Sequence, residues 1–561
     1  MKFHFMMLIL LSFLISTSQQ QKQEQQCLFI GCKCDGDEPG QGGLPTYEII
    51  CDEATGIFPS RDTSRTYSNL VTAIEIVNSG IKKVPENHLN GLEIDLLDLS
   101  NNEIRSLSRD VFRGIIKLEQ LDLTSNNLER IDAETFKPLE NSLVQLKLGR
   151  NKIGLGSAQD FSNALNNLKN LTVLALVHNE IRVLPDLSKM TSLNDLSLSS
   201  NFISSLTDDI TKESLLPSSL IELNLNENRL SHLTESSFAN LKNLKYLSLE
   251  SNLINSISEL AFSSSFLLTS ISLSKNYLNH IPGKAFFMLN NLQRLDLSSQ
   301  NQILKQIDNY AFDRYSSNLP IRRIDLSNNR ISKIEEKAFC SRNRSNPYIN
   351  VKEIDLAANP LSILNVCLVR QLATGFKDPN QQSKAKLSFK ANEANQQVTD
   401  YLKCDCEITK SSSLIDLEGN CKNEDGNLVP LKQFRCTSNE DLDSSIETVC
   451  SMSIFNCVYD QNKVDTQIGT TNGIKSHSTE AVDSNRNFND NSFTNNKNRI
   501  NNNNLQNDQK QPKNKDSIMQ ATKLPASAIV TSSSTGQQQI SFTYILLIGF
   551  CSAIESYILL F

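Results

Sequence analysis

The sequence lacks the residue groupings on which most enzymatic and metal-binding chemistry depends. Its six histidines are scattered, with no HExxH motif and no other spacing that is typical of metal ligands. The segment GLGS at 154–157 has neither the glycine pattern nor the lysine of a phosphate-binding loop. We therefore predict that the protein is not an enzyme and that it holds no cofactor and no metal ion.

The sequence also lacks a net positive charge and tryptophan. The net charge is −7 at pH 7, and the lysines and arginines form no basic patch of the kind that nucleic-acid-binding proteins carry. Tryptophan is absent, so the strongest contacts of a protein interface have to come from tyrosine and arginine. Nucleic acid is thus not expected as a partner, and protein recognition is.

Long apolar runs occur only near the two ends of the chain. Lys2 precedes an apolar run over 5–15, and Ser16 and Ser18 follow at the spacing that signal peptidase reads. A signal anchor that stays in the membrane is the alternative, but a spanning helix needs about 20 apolar residues. We predict a secretory signal peptide over 1–18 and an extracellular mature chain, in which disulfides persist.

The second apolar run, at the C-terminus, predicts attachment to a membrane. Ala526 and Ser527 supply the small residues of a lipid-attachment site, with 532–534 as a competing site, and a spacer and an apolar tail follow. This order is typical of a glycosylphosphatidylinositol (GPI) anchor signal, whose tail is cut away. A transmembrane segment within 529–561 is the alternative, disfavoured because Glu555 lies in the run and no Lys or Arg follows it.

Between these ends one pattern, LxxLxLxxNxL, recurs from 71 to 364, as in LIELNLNENRL at 220–230. Most units are 22 to 28 residues long, inside the leucine-rich-repeat range of about 20 to 29. We predict about twelve repeats over 70–367. The residues at the asparagine position are Ser79, Asn102, Asn126, Asn151, Asn179, Asn201, Asn228, Asn252, Asn276, Gln300 or Asn301, Asn329 and Asn359.

The pattern also explains why many units are needed. Leucines that alternate with exposed residues have the period of a β-strand. One turn alone buries too few leucines to offset the entropy lost on ordering it, so turns must stack and pair their strands into a parallel sheet. The asparagine can then bond to backbone groups that would otherwise be buried without partners. The predicted fold class is α/β: a leucine-rich-repeat solenoid (horseshoe) with a parallel concave sheet.

Cysteine-rich segments flank the repeats and predict a disulfide-bonded cap over each end of the stack, at 19–69 and at 404–457. Repeats and caps together resemble extracellular leucine-rich-repeat proteins, a group that includes Slit, the Toll ectodomains and the arthropod adhesion proteins connectin and chaoptin. The second cap departs from this group, because it lacks the tryptophan common there. The resemblance implies disulfides from Cys27 to Cys34, Cys32 to Cys51, Cys404 to Cys421 and Cys406 to Cys436.

The remaining cysteines predict two more disulfides and one leftover thiol. Cys340 and Cys367 are expected on the convex side about one strand spacing apart, within disulfide reach. Cys450 and Cys457 are close enough in the sequence to close a small loop. The chain has 13 cysteines, an odd number, and the leftover Cys551 lies in the tail. Removal of that tail would leave an even number, which supports the lipid-anchor interpretation.

Two polar segments lie outside the repeats and caps. A polar insertion, 368–403, separates the last repeat from the second cap. An asparagine-rich stretch, 458–528, has too few apolar residues to fold, and we interpret it as a passive stalk, with a prion-like role as the alternative. At roughly 5 to 6 Å times the square root of the residue number, such a stalk holds the solenoid about 45 Å from its anchor.

The concave face is predicted to bind the partner. Its exposed positions carry a column of aspartates, ordinary for this repeat, and a group of basic and aromatic residues in the later turns. That group can either pair with the aspartates or meet an acidic partner; both readings stay open here. The aspartates are Asp98, Asp122, Asp296, Asp325 and Asp355. The predicted binding residues are Lys245, Tyr246, Arg294, Arg322, Arg323, Asp325, Lys352 and Asp355.

Two positions match the acceptor rule for N-glycosylation, Asn170 in NLT and Asn343 in NRS. Asn170 immediately precedes a strand leucine, which predicts a place at the rim of the solenoid. Asn343 lies in the long convex loop of the eleventh unit. We expect both to carry glycans.

These observations favour a cell-surface recognition or adhesion protein, lipid-anchored on the extracellular face of the plasma membrane or released from it. Its partner would be a protein on a cell surface or in the matrix, and binding to a second copy of itself stays open. The alternatives are an innate-immune-type or secreted ligand-capture receptor and a non-catalytic accessory subunit.

The tail prediction leads to a direct test. Phosphatidylinositol-specific phospholipase C should release the protein from the membranes of expressing cells, because it cleaves the lipid from a GPI-anchored chain. Release is measured by immunoblotting of the medium. Retention on the membrane, with Cys551 recovered from the mature chain by mass spectrometry, would show that the tail stays in place.

Overall fold

A computed structural model describes residues 27–36, 47–51, 56–62, 71–314, 319–342, 347–376, 383–389, 402–404, 414–433 and 457. These residues all belong to one compact unit, Met1–Ile468. The predicted signal peptide, stalk and lipid-anchor signal lie outside the described residues. So do the following predicted positions: Asn343, Cys406, Cys436, Cys450, Ala526, Ser527 and Cys551.

Within the described residues, short strands recur once per turn, and two further strand pairs and two α-helices lie between them. The strands are β1 (Lys33–Gly36), β2 (Tyr47–Ile50), β3 (Val71–Glu75), β4 (Glu93–Asp98), β5 (Lys117–Asp122), β6 (Gln145–Lys147), β7 (Val173–Ala175), β8 (Asp195–Ser197), β9 (Glu222–Asn224), β10 (His232–Leu233), β11 (Tyr246–Ser248), β12 (Ser256–Ile257), β13 (Ser270–Ser272), β14 (Arg294–Asp296), β15 (Gln306–Ile307), β16 (Arg323–Asp325), β17 (Lys333–Ile334), β18 (Glu353–Asp355), β19 (Lys386–Phe389), β20 (Asp416–Lys422) and β21 (Leu428–Pro430). The helices are α1 (Ala158–Asn166) and α2 (Val366–Gly375).

Seventeen of the strands form one sheet. From β2 to β20 its neighbours run parallel, whereas β1 pairs antiparallel with β2 at one end and β21 pairs antiparallel with β20 at the other. Parallel pairs β10–β12 and β15–β17 lie apart from it. The predicted α/β leucine-rich-repeat solenoid with a parallel concave sheet is therefore confirmed.

The leucines of the strands point inward in register. Leu146 of β6 lies opposite Leu174 of β7, and Leu174 lies opposite Leu196 of β8; all three side chains have 0% of their surface exposed. Phenylalanines add aromatic contacts between turns, and Phe262 stacks between Phe238 and Phe286 at ring distances of 5.5 and 6.0 Å. The core is thus continuous along the stack, and no turn has a core of its own.

An inward asparagine closes most of the turns by hydrogen bonds to the backbone, as the sequence predicts. Asn228 donates through Nδ2 to the carbonyls of Leu225 and Asn226 in its own turn and of Leu198 in the preceding turn, at 2.9 to 3.1 Å. Its Oδ1 accepts from the amide of Ile203 at 3.0 Å. One side chain therefore satisfies four buried backbone groups and joins two turns.

Gln300 takes this place in the turn where the sequence left Gln300 and Asn301 as alternatives. Its Nε2 donates to the carbonyl of Leu273 at 2.8 Å, and its Oε1 accepts from the amide of Leu278 at 3.0 Å. The inserted residues Asn301 and Gln302 adopt left-handed backbone angles, with φ of 39° and 58°. The insertion is therefore absorbed in the loop and leaves the ladder of hydrogen bonds intact.

Helix α1 accounts for the segment GLGS. Ser157, the last residue of GLGS, caps the N-terminus of α1 by accepting a hydrogen bond from the amide of Asp160 at 3.2 Å. Gly154 has φ of 130°, a region that favours glycine. The segment leads the chain from the fourth repeat strand into the helix that fills the long loop of the fourth turn.

The stretch predicted as a polar insertion, 368–403, is in part a continuation of the solenoid. Most of α2 falls within it, and Asn365 caps α2 by accepting from the amide of Cys367 at 2.8 Å. β19 then pairs in parallel with β18 and with β20. The prediction was wrong at this point because β19 follows a long polar stretch and carries no full repeat motif.

Two of the additional disulfide predictions were also wrong. The structure joins Cys340 to Cys457, across a sequence separation of 117 residues, so neither Cys340–Cys367 nor Cys450–Cys457 forms. Cys367 takes part in a different disulfide. Three pairs implied by the resemblance are present: Cys27–Cys34, Cys32–Cys51 and Cys404–Cys421. The wrong pairs were chosen by closeness along the chain, whereas the fold returns a distant segment to the convex side.

Within the described ranges, no helix is long enough and apolar enough to cross a membrane.

The row of inward asparagines along the stack predicts a large decrease in the free energy of unfolding when one of them is replaced. Asn276 is 0% exposed, donates to the carbonyls of Leu249 and Leu273 and accepts from the amide of Ile254. Asn276→Ala should lower the free energy of unfolding by about 3 kcal/mol, since it leaves several buried backbone groups without partners. Urea unfolding of the ectodomain measures this.

Asn194→Ala is the matched control, because the Asn194 side chain is exposed and makes no hydrogen bond to a described residue. It should change the free energy of unfolding by less than about 0.5 kcal/mol. Equal effects of the two substitutions would contradict the structural role of the inward asparagine.

Candidate functional site

The exposed side of the sheet consists of two columns of side chains, one on each side of the buried strand residue. The first column holds, in register, Glu222, Tyr246, Ser270, Arg294, Arg323, Glu353 and Lys386. The second holds Asn224, Ser248, Ser272, Asp296, Asp325, Asp355 and Ser388. We call this part of the sheet, from β9 to β19, the concave site.

Tyr246 and Arg294 are the most accessible pair in the first column. Tyr246 is 49% exposed, and Arg294 is exposed as well. Only β13 separates them, at about 5 Å per strand, and β13 presents serines on both columns. Arg294 has no ion pair with a described residue. An aromatic ring and an unpaired guanidinium therefore border a shallow, small-residue strip.

Arg323 has a different environment from Arg294. Its guanidinium donates to Asp325 at 2.9 Å, to Glu353 at 2.8 Å and to Asp355 at 2.5 Å. Partial burial opposes its charge, but the hydrogen bond to Asp325 and the three nearby carboxylates outweigh this, and the pKa of Arg323 is raised. Of the two readings left open by the sequence, the structure shows that Arg323 pairs with the aspartates.

Lys386 extends this group of charges into β19. Its ammonium lies 2.6 Å from Glu418 and 3.4 Å from Glu353. The hydrogen bond to Glu418 is the main reason that the pKa of Lys386 is raised. Sequence reasoning missed Lys386 and Glu418, because β19 lies in the stretch predicted as an insertion and no signal in the sequence places it beside β18.

The aspartates of the second column accept hydrogen bonds from backbone amides, and two of them, Asp325 and Asp355, also pair with Arg323. Oδ1 of Asp296 accepts from the amide of Ser298 at 3.0 Å, and Oδ1 of Asp355 accepts from the amide of Ala357 at 3.0 Å. Asp98 and Asp122 make the same bond in earlier turns, at 2.8 and 2.9 Å. These aspartates therefore fix the backbone where their strands end, and their recurrence does not by itself indicate a binding site.

Three predicted binding residues lie one position earlier, where the chain enters each strand. Lys245, Arg322 and Lys352 are all exposed, and none has an ion pair with a described residue. The register of β16 with β18 places Arg322 beside Lys352. The structure thus separates the predicted cluster into an unpaired basic margin and a neutralised group around Arg323.

Comparison with known proteins agrees with this architecture. The leucine rich repeat family model matches residues 71–128 and 92–153, and the BspA type leucine rich repeat region model matches residues 208–346. Lumican of Mus musculus is 31% identical over 278 residues, which cover 49% of this chain and 67% of lumican. The chain belongs to the leucine-rich-repeat family.

A second relative and a solved structure are similar to parts of this leucine-rich-repeat protein. Osteomodulin of Bos taurus is 33% identical over 220 residues, which cover 38% of this chain and about half, 48%, of osteomodulin. A chain from a solved octameric complex of Latrophilin 3, Unc5D and FLRT2 is 22% identical with a TM-score of 0.43, covering 64% of this chain and 93% of that one. The finer resemblance to connectin and chaoptin stays a prediction.

Of the two predicted glycosylation sites, the structure describes Asn170. Asn170 of the leucine-rich-repeat protein is exposed, and its Nδ2 donates to the carbonyl of Asn141 in the preceding turn at 2.7 Å. Its side chain therefore lies at the rim of the stack, and its modification stays a prediction.

Within the described ranges, no group of three or more His, Cys, Asp or Glu side chains is arranged to hold a metal ion.

The contrast between neighbouring arginines leads to a stability test. Arg323→Met should lower the free energy of unfolding by about 1 kcal/mol at low salt, because Asp325, Glu353 and Asp355 would then face one another without the guanidinium. The loss should shrink in 1 M NaCl, where repulsion between these carboxylates is screened. Arg322→Met is the control and should have no measurable effect. A loss with Arg323→Met that is independent of salt would contradict an electrostatic role.

Proposed function

We propose that this leucine-rich-repeat protein is a cell-surface recognition or adhesion protein that binds a protein partner on the concave site. The observation that carries the proposal is the exposed pair Tyr246 and Arg294, in one column of a rigid sheet and separated by a strand of serines. Tyrosine and arginine are the residue types that dominate protein interfaces when tryptophan is absent.

A protein partner fits this surface better than a small molecule does. Small ligands need a concave pocket that buries most of their surface, whereas Ser270 and Ser272 leave a broad and shallow strip between Tyr246 and Arg294. The strands are held by hydrogen bonds on both sides, so little backbone entropy is lost when a partner binds. Such a surface suits a complementary protein face.

The charges favour an acidic partner at one margin of the site. Lys245, Arg294, Arg322 and Lys352 are exposed and have no ion pair with the described residues, so a carboxylate-bearing surface would gain new contacts there. Arg323 contributes little to this attraction because its own carboxylates already neutralise it. We therefore assign the partner contacts to Tyr246, Arg294 and the basic margin, with Asp325 and Asp355 as supports of Arg323.

The proposed location is the extracellular face of the plasma membrane, with a lipid anchor. The disulfides Cys27–Cys34, Cys32–Cys51, Cys340–Cys457 and Cys404–Cys421 support an oxidising compartment. The sequence signals for secretion and for lipid attachment support the anchor. A tethered chain of this kind presents its concave site to neighbouring cells or to the matrix.

Binding to cells tests the proposal. A soluble ectodomain, residues 19–525, should stain partner cells, and the double substitution Tyr246→Ala and Arg294→Ala should weaken binding by about 30-fold, roughly 2 kcal/mol. The matched control replaces Gln120 and Gln145 by Ala, since they occupy the same column in earlier turns. Undiminished binding by the Tyr246 and Arg294 variant would contradict the assignment of the concave site.

A further inference from the structure

A second row of side chains runs along the solenoid just beyond the ends of the main strands. Each member directly follows an inward asparagine, and its amide donates to a carbonyl in the preceding turn. Phe202 donates to Ile181, Arg229 to Ile203, Leu253 to Leu230 and Tyr277 to Ile254, at 2.8 to 2.9 Å. We call Phe202, Arg229, Leu253 and Tyr277 the flank row. These backbone bonds stack its side chains one turn apart.

Three of the four members of the flank row, Phe202, Leu253 and Tyr277, are apolar or aromatic, and Arg229 lies between the first two. Leu253 is 46% exposed and Tyr277 is 38% exposed. The turns before them carry Asn127, Lys152 and Glu180 at the same position, with the same backbone hydrogen bond. Because this position faces solvent in every turn, the core does not require apolar residues there, and their clustering needs another reason.

Two arginines flank the ring at one end of the row. The guanidinium of Arg229 lies 4.5 Å from the centre of the Phe202 ring, and the guanidinium of Arg182 lies 4.9 Å from it. Neither arginine has an ion pair with a described residue. The ring holds both cations near each other at the surface, where together they offer several free N–H donors to a carboxylate.

A depression lies at the other end of the row. It has a volume of about 610 Å³, and Leu253, Tyr277 and Ile303 supply its apolar lining. Asn255 and Asn279 line it as well, and amide side chains can bond to a passing peptide backbone. An apolar side chain would be buried here, beside groups that can hold the main chain to which it is attached.

We propose that the flank row is a docking site for an extended, acidic segment of a partner protein. A carboxylate would bind Arg182 and Arg229, and an apolar or aromatic side chain would occupy the depression at Leu253 and Tyr277. From Phe202 to Tyr277 the row spans three turns, about 14 Å, which matches about four residues of extended chain at roughly 3.3 Å each. The proposal is independent of the concave site.

Selection of peptides on cells tests this proposal. Random 12-residue peptides displayed on phage are selected on cells that express the full chain, after depletion on untransfected cells. Enriched peptides should combine Asp or Glu with Phe, Tyr or Leu. Leu253→Ser with Tyr277→Ser should reduce their binding at least tenfold, at equal surface expression measured through an epitope tag. Tyr246→Ala with Arg294→Ala should leave their binding unchanged.

Charge reversal sharpens the test. On cells that express Arg182→Glu with Arg229→Glu, the same selection should enrich Lys or Arg in place of Asp or Glu, with the apolar residues retained. Lys152→Ala, at the equivalent position of an earlier turn, is the matched control and should leave the binding of the peptides unchanged. The proposal is overturned if no peptide is enriched, or if the enriched peptides bind the Leu253→Ser and Tyr277→Ser chain as well as the original.

Discussion

The inward amide of each turn is the interaction on which the rest of the structure depends. A chain that reverses direction after a three-residue strand leaves several carbonyls and amides buried, and an unpaired buried group is expensive. The side chain of Asn228 forms hydrogen bonds with four of these groups. Because two of those four belong to the preceding turn, the same side chain that closes a turn also fixes its distance and register to its neighbour.

Because of that constraint, the location of each exposed position on the solenoid can be predicted from the repeat. The type of residue at that position is not constrained by the repeat. Residues on the strand face and residues just after the asparagine are held one strand spacing apart by backbone bonds, whatever their side chains are. The residue just before it adopts a left-handed conformation, with φ near 55° at Ser200, Glu227, Ser251 and Lys275. Function therefore lies in which side chains occupy the fixed columns, while the core that supports them is uniform.

The group around Arg323 shows that residue types alone do not reveal which side chains of a column form ion pairs. By type, Arg294 and Arg323 are equivalent, and both occupy the first column. Arg323 has Glu353 on the next strand and aspartates diagonally and on its own strand, whereas Arg294 has Ser270 on one side and Arg323 on the other. An ion pair depends on the neighbours across strands, so of these two arginines Arg323 is paired and Arg294 has no ion pair with a described residue.

The amino-acid sequence alone determined the class of fold, the parallel sheet, the inward leucines and the role of the asparagines, because each of these follows from a pattern that recurs within one turn. Only the tertiary structure decided the features that depend on distant segments: the disulfide from Cys340 to Cys457 and the place of β19 in the sheet. The physical reason is that repeat patterns encode short-range order, whereas these contacts join residues whose separation along the chain carries no periodic signal.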